Sequence, residues 1–320
     1  MPTGNILIVQ GERGKLELLS LGDYGKEKNL KADFMGITRE IDGVPHGELL
    51  PLEQKWVITI STQYGCSMNC TFCDVPTVGP GKNATFDDLI RQVLTGIKLH
   101  PEVESTKRLN IHYARMGEPT WNPNVLDATK WLKTHIDPEY KIHPVVSTMM
   151  PRKNQWLKTF VHTWMRIKNR LLHGEAGLQL SINSTNEEER REIFSGNALT
   201  LEGIAKIMEG CIPNGRKITL NFALSDYEID PATLLKYFHP QDYLIKITPM
   251  HETRACVDKG IITENGYIKY KPYRHIEKLL KDAGYDVIVF VPSLEEDTSK
   301  ITCGNAILSE YEDTVTGGIE

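Results

Sequence analysis

Cys66-Ser67-Met68-Asn69-Cys70-Thr71-Phe72-Cys73 places three thiols in one short loop, and the reading of this loop decides the reading of the chain. Three thiolates suit three irons of a cubane cluster and leave its fourth iron without a protein ligand. Cluster proteins that only carry electrons fill their iron positions with cysteine. An open iron instead leaves room for a small molecule on the metal. A structural zinc site asks for four ligands, usually as two separated pairs, and Cys211, Cys256 and Cys303 are too scattered to supply a second pair. Six cysteines with three in one loop do not form a secreted disulfide framework either.

The stretch before the loop, 56–61, reads as an apolar strand, and a unit of strand, loop and amphipathic helix recurs from there to the end. Further strands are expected at 109–114, 143–147, 178–183, 218–223, 243–248 and 287–291. Helices are expected at 86–99, 124–134, 153–172, 187–194, 201–210, 231–238 and 272–283. The first of these carries Leu89, Ile90, Val93, Leu94 and Ile97 on one face, with Thr85 as its cap above Asp88. Such alternation predicts an α/β fold with crossover units on a parallel sheet. Its natural closure is a partial parallel (β/α) barrel over 51–320. Residues 1–50 read as a small β-hairpin appendage, with strands at 5–10 and 15–21 around Gly11-Glu12-Arg13-Gly14. Barrels of this kind keep their chemistry in loops at the C-terminal ends of the strands. The three cysteines stand just past the first barrel strand, where that rule puts chemistry.

Composition bounds the rest. The chain has 320 residues, 40% hydrophobic and 25% charged, ordinary values for a globular protein. The N-terminal Met1-Pro2-Thr3-Gly4-Asn5 has no charged stretch followed by an apolar one, and no apolar run approaches the ~20 residues that cross a bilayer. A cytoplasmic protein with no membrane partner is expected. A net charge of −5 does not advertise nucleic-acid binding, so any RNA contact must rest on a local basic surface. The candidate is Arg152, Lys153, Lys158, Arg166, Lys168 and Arg170, a stretch without an acid between Met150 and Gly174. Trp156, Phe160 and Trp164 recur four apart within it and read as the face that packs the helix onto the barrel.

Beyond the second strand stands Met116-Gly117-Glu118-Pro119, where a glycine admits close approach of the backbone to a ligand and a carboxylate offers an acceptor to an ammonium group. Val146-Ser147-Thr148, Leu180-Ser181-Ile182-Asn183-Ser184, Ile247-Thr248-Pro249-Met250-His251 and Thr302-Cys303-Gly304 follow in order. With the cysteine loop, this series resembles the radical S-adenosylmethionine (radical SAM) enzymes, and among them the RlmN/Cfr class of ribosomal RNA adenine methyltransferases, over about residues 40–310. The resemblance implies a 4Fe-4S cluster on Cys66, Cys70 and Cys73, with SAM chelated on the open iron and cleaved to a 5′-deoxyadenosyl radical. It implies that Gly117, Glu118, Ser147, Ser181 and Asn183 line the SAM pocket and that His251 lies near the SAM adenine. Cys303 matches the cysteine that is methylated by one SAM and then passes its carbon to the RNA adenine. An electron donor such as flavodoxin or ferredoxin is implied as a partner, and RNA as substrate.

The chain also departs from that class. Thr59 stands where the family has the second cysteine that resolves the covalent intermediate, and threonine forms no disulfide. Asn183 replaces a histidine, and His251 follows Pro-Met where the family has asparagine after Pro-Phe. The family's N-terminal helical RNA-binding domain has no counterpart in the short hairpin. Its acidic residue ahead of the first strand is matched by Glu48 before Pro51, with His46 at the nearer register. Cys256, on the expected catalytic face, is the candidate to replace the missing thiol, against the plainer reading of a packed thiol; Cys211 falls at the opposite end. The alternative is a radical SAM enzyme that abstracts hydrogen directly from a nucleotide, peptide or small molecule. The threonine at position 59 favours it, and Cys303-Gly304 opposes it.

Overall fold

The computed structural model describes residues 4–23, 40–41, 44–45, 49–263, 271–290, 300–301 and 306–308. Glu48, His46 and Cys303 lie outside the described residues.

Strand β1 (Gly4–Gly11) and β2 (Gly14–Gly22) form an antiparallel hairpin. A two-residue pairing of β3 (Glu40–Ile41) with β4 (Val44–Pro45) precedes the first barrel strand, β5 (Trp56–Ile60). β2 pairs antiparallel with β5, Leu19 opposite Thr59, so the hairpin continues the main sheet. The chain then makes a side ribbon of β6 (Gln63–Gly65) and β7 (Pro80–Asn83), with the short helix α1 (Val75–Val78) between them. Next come α2 (Phe86–Lys98), β8 (Thr106–Tyr113), α3 (Asn124–His135), β9 (Tyr140–Thr148) and α4 (Leu157–Arg166). After β10 (Gly177–Ser181) stand α5 (Glu187–Ile193) and α6 (Leu201–Met208). The series ends with β11 (Ile218–Leu224), α7 (Pro231–Tyr237), β12 (Tyr243–Pro249), α8 (Arg254–Lys259), α9 (Lys271–Asp282) and β13 (Asp286–Val289).

From β5 onward the strands of the main sheet run parallel in the order β5-β8-β9-β10-β11-β12-β13. Among the described residues β1 and β13 end the sheet without pairing to each other, so the barrel is partial. The expected strands and helices are present with ends shifted by a few residues.

Strand alternation sorts the side chains onto two faces. Trp56, Ile58 and Ile60 of β5, Leu109, Ile111 and Tyr113 of β8, and Leu178 and Leu180 of β10 join the apolar core under the helices. Their neighbours Thr59, Asn110, His112, Ser147, Gln179, Ser181 and Asn221 take the opposite, concave face. That face is polar, as a barrel that receives a polar ligand requires.

Two expectations about α4 change. The helix begins at Leu157, not 153, because Asn154 caps the turn before it by accepting from the Trp156 N–H at 2.9 Å. Phe160 and Trp164 are buried as expected, but Trp156, at the helix entry, is 72% exposed. Residues Ile167–Leu171 continue as a π-helical turn, which rotates Lys168 inward. The Lys168 ammonium is buried and donates to the carbonyls of Gly174 at 3.1 Å and Asn214 at 2.5 Å. Lys168 therefore ties two loops together and is not part of a basic surface.

Candidate active site

The cysteine loop is carried by the β6–β7 ribbon, which the sequence pattern did not reveal. Gly65 and Gly81 make the ribbon possible. Both have positive φ, and a Cβ on Gly81 would stand 2.4 Å from the Ser67 nitrogen, inside the loop itself. The Cys66 N–H donates to the Gly79 carbonyl at 3.1 Å, which closes the loop onto the ribbon. Its far side is fastened to the end of α5: Thr71 N–H donates to the Ile193 carbonyl at 2.9 Å and Asn197 Nδ2 to the Met68 carbonyl at 2.9 Å. Cys66, Cys70 and Cys73 share one apolar cluster with Met68, Phe72 and Phe194.

Gln63 joins this loop to the Gly117-Glu118 segment. Its Oε1 accepts from the Ser67 N–H, the Ser67 hydroxyl at 3.1 Å and the Glu118 N–H at 3.0 Å, while its Nε2 donates to Gly81 and Asn83 in the ribbon. Gly117, at φ 91°, lies against Gln63 so closely that a Cβ would meet that side chain at 2.5 Å. Glu118 is 1% exposed. One carboxylate oxygen accepts from the Thr120 N–H at 3.0 Å and its hydroxyl at 2.7 Å, and the other from the Met149 N–H at 2.8 Å. Burial pushes the Glu118 carboxyl up, and the bonds from Met149, Thr148 and Thr120 pull it back. Burial likewise pushes the Cys66 thiol up to about 11 and Cys70 well above its usual value, with the Glu118 charge adding to both.

Two buried thiols, Cys66 and Cys70, thus share their surroundings with the buried Glu118 carboxylate, and a bound cationic group would favour the ionised form of all three. Among the described residues no trio of His, Cys, Asp or Glu closes on a single metal ion. A cubane with one open iron asks for three thiolates on three different irons, which is the donor set this loop carries. Cys66, Cys70 and Cys73 would hold that cluster, and Glu118 would face the ammonium group of SAM.

Ser147 on β9 and Ser181 on β10 share the concave face, two residues from each other in register through Gln179. Asn183 follows at φ 59° and its Oδ1 accepts from the Ala223 N–H at 3.1 Å, which locks the end of β10 to β11. His251 stands two residues past the end of β12, at the same end of the barrel.

No family model matches the chain. It is 25% identical over 288 residues to the dual-specificity RNA methyltransferase RlmN of a Marinomonas species, covering 83% of this chain and 70% of that protein. It is 25% identical over 219 residues to the dual-specificity RNA methyltransferase RlmN 2 of Myxococcus xanthus, covering 63% of this chain and 54% of that one. The chain therefore spans between about half and 70% of the length of these relatives. Its fold matches a crystal structure of a radical SAM methyltransferase from Sphaerobacter thermophilus with a TM-score of 0.58 over 91% of this chain and 77% of that one, at 17% identity. In sequence the chain is similar to RlmN, and in fold to a radical SAM methyltransferase.

In this RlmN-like barrel Cys256 occupies the first turn of α8 and is fully buried. Its thiol lies on the His251 carbonyl at 3.4 Å and the Phe72 carbonyl at 3.6 Å, and burial pushes its pKa up. Asp74 caps the same turn, accepting from the Arg254 and Ala255 N–H groups, and the Thr253 hydroxyl donates to the Phe72 carbonyl at 2.8 Å. That geometry suits a packed thiol that buttresses the cysteine loop, the plainer of its two sequence readings. Thr59 sits on the concave face beside His112 in the β5–β8 register. Burial, with help from Arg216 and Lys246, holds the His112 imidazole neutral with its pKa lowered to about 3.

The sequence reading missed two charged residues, Glu17 of β2 and Arg115 just past β8. They form a buried ion pair whose remaining polar atoms hold main-chain groups on both sides of residues 302–305. The signal was present: Leu16-Glu17-Leu18-Leu19 sets one charge inside a run of leucines, and a buried charge implies a partner.

Proposed function

We propose that the chain is a radical SAM methyltransferase that acts on an RNA adenine through Cys303. The observation that carries this reading is the coupling of the three-cysteine loop to Glu118 through Gln63. When bound, the 4Fe-4S cluster and SAM supply a 5′-deoxyadenosyl radical. Cys66, Cys70 and Cys73 hold the cluster, and Glu118, kept rigid by Thr120 and Met149, accepts hydrogen bonds from the SAM ammonium group. Gly117 lets the backbone approach the ligand. Ser147, Ser181 and Asn183 offer polar groups from the strand ends, and His251 contacts the adenine of SAM. Cys303 carries the methyl group, and Glu48 stands for the family's acidic residue ahead of the first strand. A reduced flavodoxin or ferredoxin in the cytoplasm supplies the electron.

Thr59 supports a different release step from the one its relatives' cysteine pair would allow. Incubation with methyl-labelled SAM, followed by mass spectrometry, tests the assignment: label on Cys303, and loss of transfer in Cys303→Ala with 5′-deoxyadenosine still formed, is the expected result. Unlabelled Cys303 with substrate turnover unchanged in Cys303→Ala would instead establish direct hydrogen abstraction.

A further inference from the structure

Trp156 leaves 72% of its surface in water, while Phe160 and Trp164, the aromatics that follow it at four-residue spacing, join the apolar core. A tryptophan has the largest apolar surface to hide, and this one does not hide it. Arg152, Lys153 and Gln155 beside it are exposed as well. No acid occurs between Met150 and Gly174, in a chain whose net charge is −5. The surface therefore pairs an open indole ring with two cations.

Both parts of the candidate active site hold this surface in place. Segment 149–156 leaves the C-terminal end of β9, where the Met149 N–H donates to the Glu118 carboxylate. Asn154 is 7% exposed and its Nδ2 donates to the Thr120 carbonyl at 2.8 Å, and the Thr120 hydroxyl in turn binds Glu118. On the other side the Arg152 N–H donates to the Asn197 carbonyl at 2.7 Å, and Asn197 Nδ2 reaches the Met68 carbonyl in the cysteine loop. The main chain of Trp156 is fixed too. Its N–H donates to Asn154 Oδ1 at 2.9 Å, and its carbonyl accepts from the Phe160 N–H at 2.8 Å. A rigid mount thus carries the ring at the rim of the site, and a ligand that stacks on it orders little backbone. Helix α5, which leads to Asn197, exposes Glu188 and Glu192. A polyanion is accordingly attracted on the α4 side and repelled on the α5 side.

We propose that Trp156, with Arg152 and Lys153, is a stacking platform for single-stranded RNA beside the reacting base. Every base offers a face to an aromatic ring, and the phosphates of the same strand meet the cations. An acidic protein surface would use the two cations but has no comparable partner for the ring. The platform deepens the function proposed above and rests on its RNA substrate. Drawing a base out of folded RNA needs binding energy from the nucleotides around it, and a stacked neighbour supplies some of it.

Trp156 and both cations are exposed, so substitutions there spare the core. The probe is a fluorescein-labelled oligouridylate of about twelve nucleotides, bound to the full chain and read by anisotropy. Trp156→Ala should weaken binding about tenfold with its salt dependence unchanged, and Trp156→Phe should restore most of the affinity. Arg152→Gln combined with Lys153→Gln should weaken binding and reduce the log–log salt slope by about 1.4, the loss of two phosphate contacts. Wild-type affinity in Trp156→Ala would overturn the platform, and so would a wild type that binds no strand, even if methyl label on Cys303 upheld the function. Unchanged RNA binding in Trp156→Ala together with slower reduction of the cluster by flavodoxin would overturn it in favour of a protein partner. The reverse failure is separate: loss of the strand in Trp156→Ala, in a protein that never transfers a methyl group, would keep the platform and remove the methyltransferase reading.

Discussion

The cysteine loop and the described residues 300–301 and 306–307 are secured by different means. Ribbon β6–β7 holds the near side of the loop with residues close to it in sequence, Gln63, Gly65, Gly79 and Gly81, while α5 and α8 fasten its far side. Residues 300–301 and 306–307 are gripped by Arg115 and Glu17, which lie far away in the chain. Chemistry that needs ligands at close spacing leaves a motif in the sequence. An ion pair that ties distant parts of the chain leaves single charges that no spacing rule connects.

The largest effect expected from breaking this comparison is at the loop. Alanine at Cys66, Cys70 or Cys73 should remove cluster, SAM cleavage and methyl transfer together, measured by iron content and 5′-deoxyadenosine yield. Gly81→Val should come next, because its Cβ would overlap the Ser67 backbone at 2.4 Å in a positive-φ position. It should lower cluster loading severalfold and the unfolding free energy by about 1–3 kcal/mol.

Gln63→Leu sharpens the comparison by cutting the link while sparing the cysteines. It leaves the Glu118 N–H without its acceptor, a loss of about 1–3 kcal/mol, so SAM affinity should fall at least about tenfold while iron content stays near wild type. Equal SAM binding would mean that the loop and Glu118 are positioned independently.

A smaller effect is expected from pH. The His112 pKa is lowered to about 3 and that of His143 to about 4, in each case first by burial. In the unfolded chain both titrate near 6.5, so below that pH the unfolded state binds protons that the folded state refuses. These two imidazoles should add no pH dependence above pH 6.5, and stability should fall as the pH drops towards 4, by up to about 1.4 kcal/mol per pH unit for each imidazole. Urea midpoints across that range measure it, and His112→Asn should flatten the slope.

The smallest effect is expected at the far end of α4. The helix descends about 15 Å from the cysteine-bearing face, so Arg152, Lys153 and Trp156 lie near the mouth of the barrel, and Arg166 and Arg170 near its base. Charge reversal at Arg152 and Lys153 should weaken RNA binding and its salt dependence more than reversal at Arg166 and Arg170. Lys168→Glu should instead destabilise the fold, since that buried ammonium holds the Gly174 and Asn214 carbonyls.

The same contrast explains what was legible in the sequence. The apolar periods of β5, β8 and α2 located the barrel, and the Thr85–Asp88 capping box marked the start of α2 to the residue. Gln63 was not legible, since one glutamine beside a strand carries no pattern. Nor was the fate of Trp156 and Lys168. Spacing by four assigns residues to a helix face only if the helix begins where expected and stays α-helical, and α4 does neither. Glu48 and Cys303 remain proposals drawn from resemblance, while Glu17 is a carboxylate seen in contact with the main chain of Ala306 and Ile307.

The central claim is that the three cysteines and Glu118 form one site for a cluster and SAM. Electron paramagnetic resonance of the anaerobically reconstituted, reduced protein tests it most directly. A 4Fe-4S signal that shifts on adding SAM is expected, with the shift lost in Glu118→Gln while the unshifted signal remains. A folded, colourless protein that takes up zinc in place of iron, or a cluster signal indifferent to SAM, would contradict it.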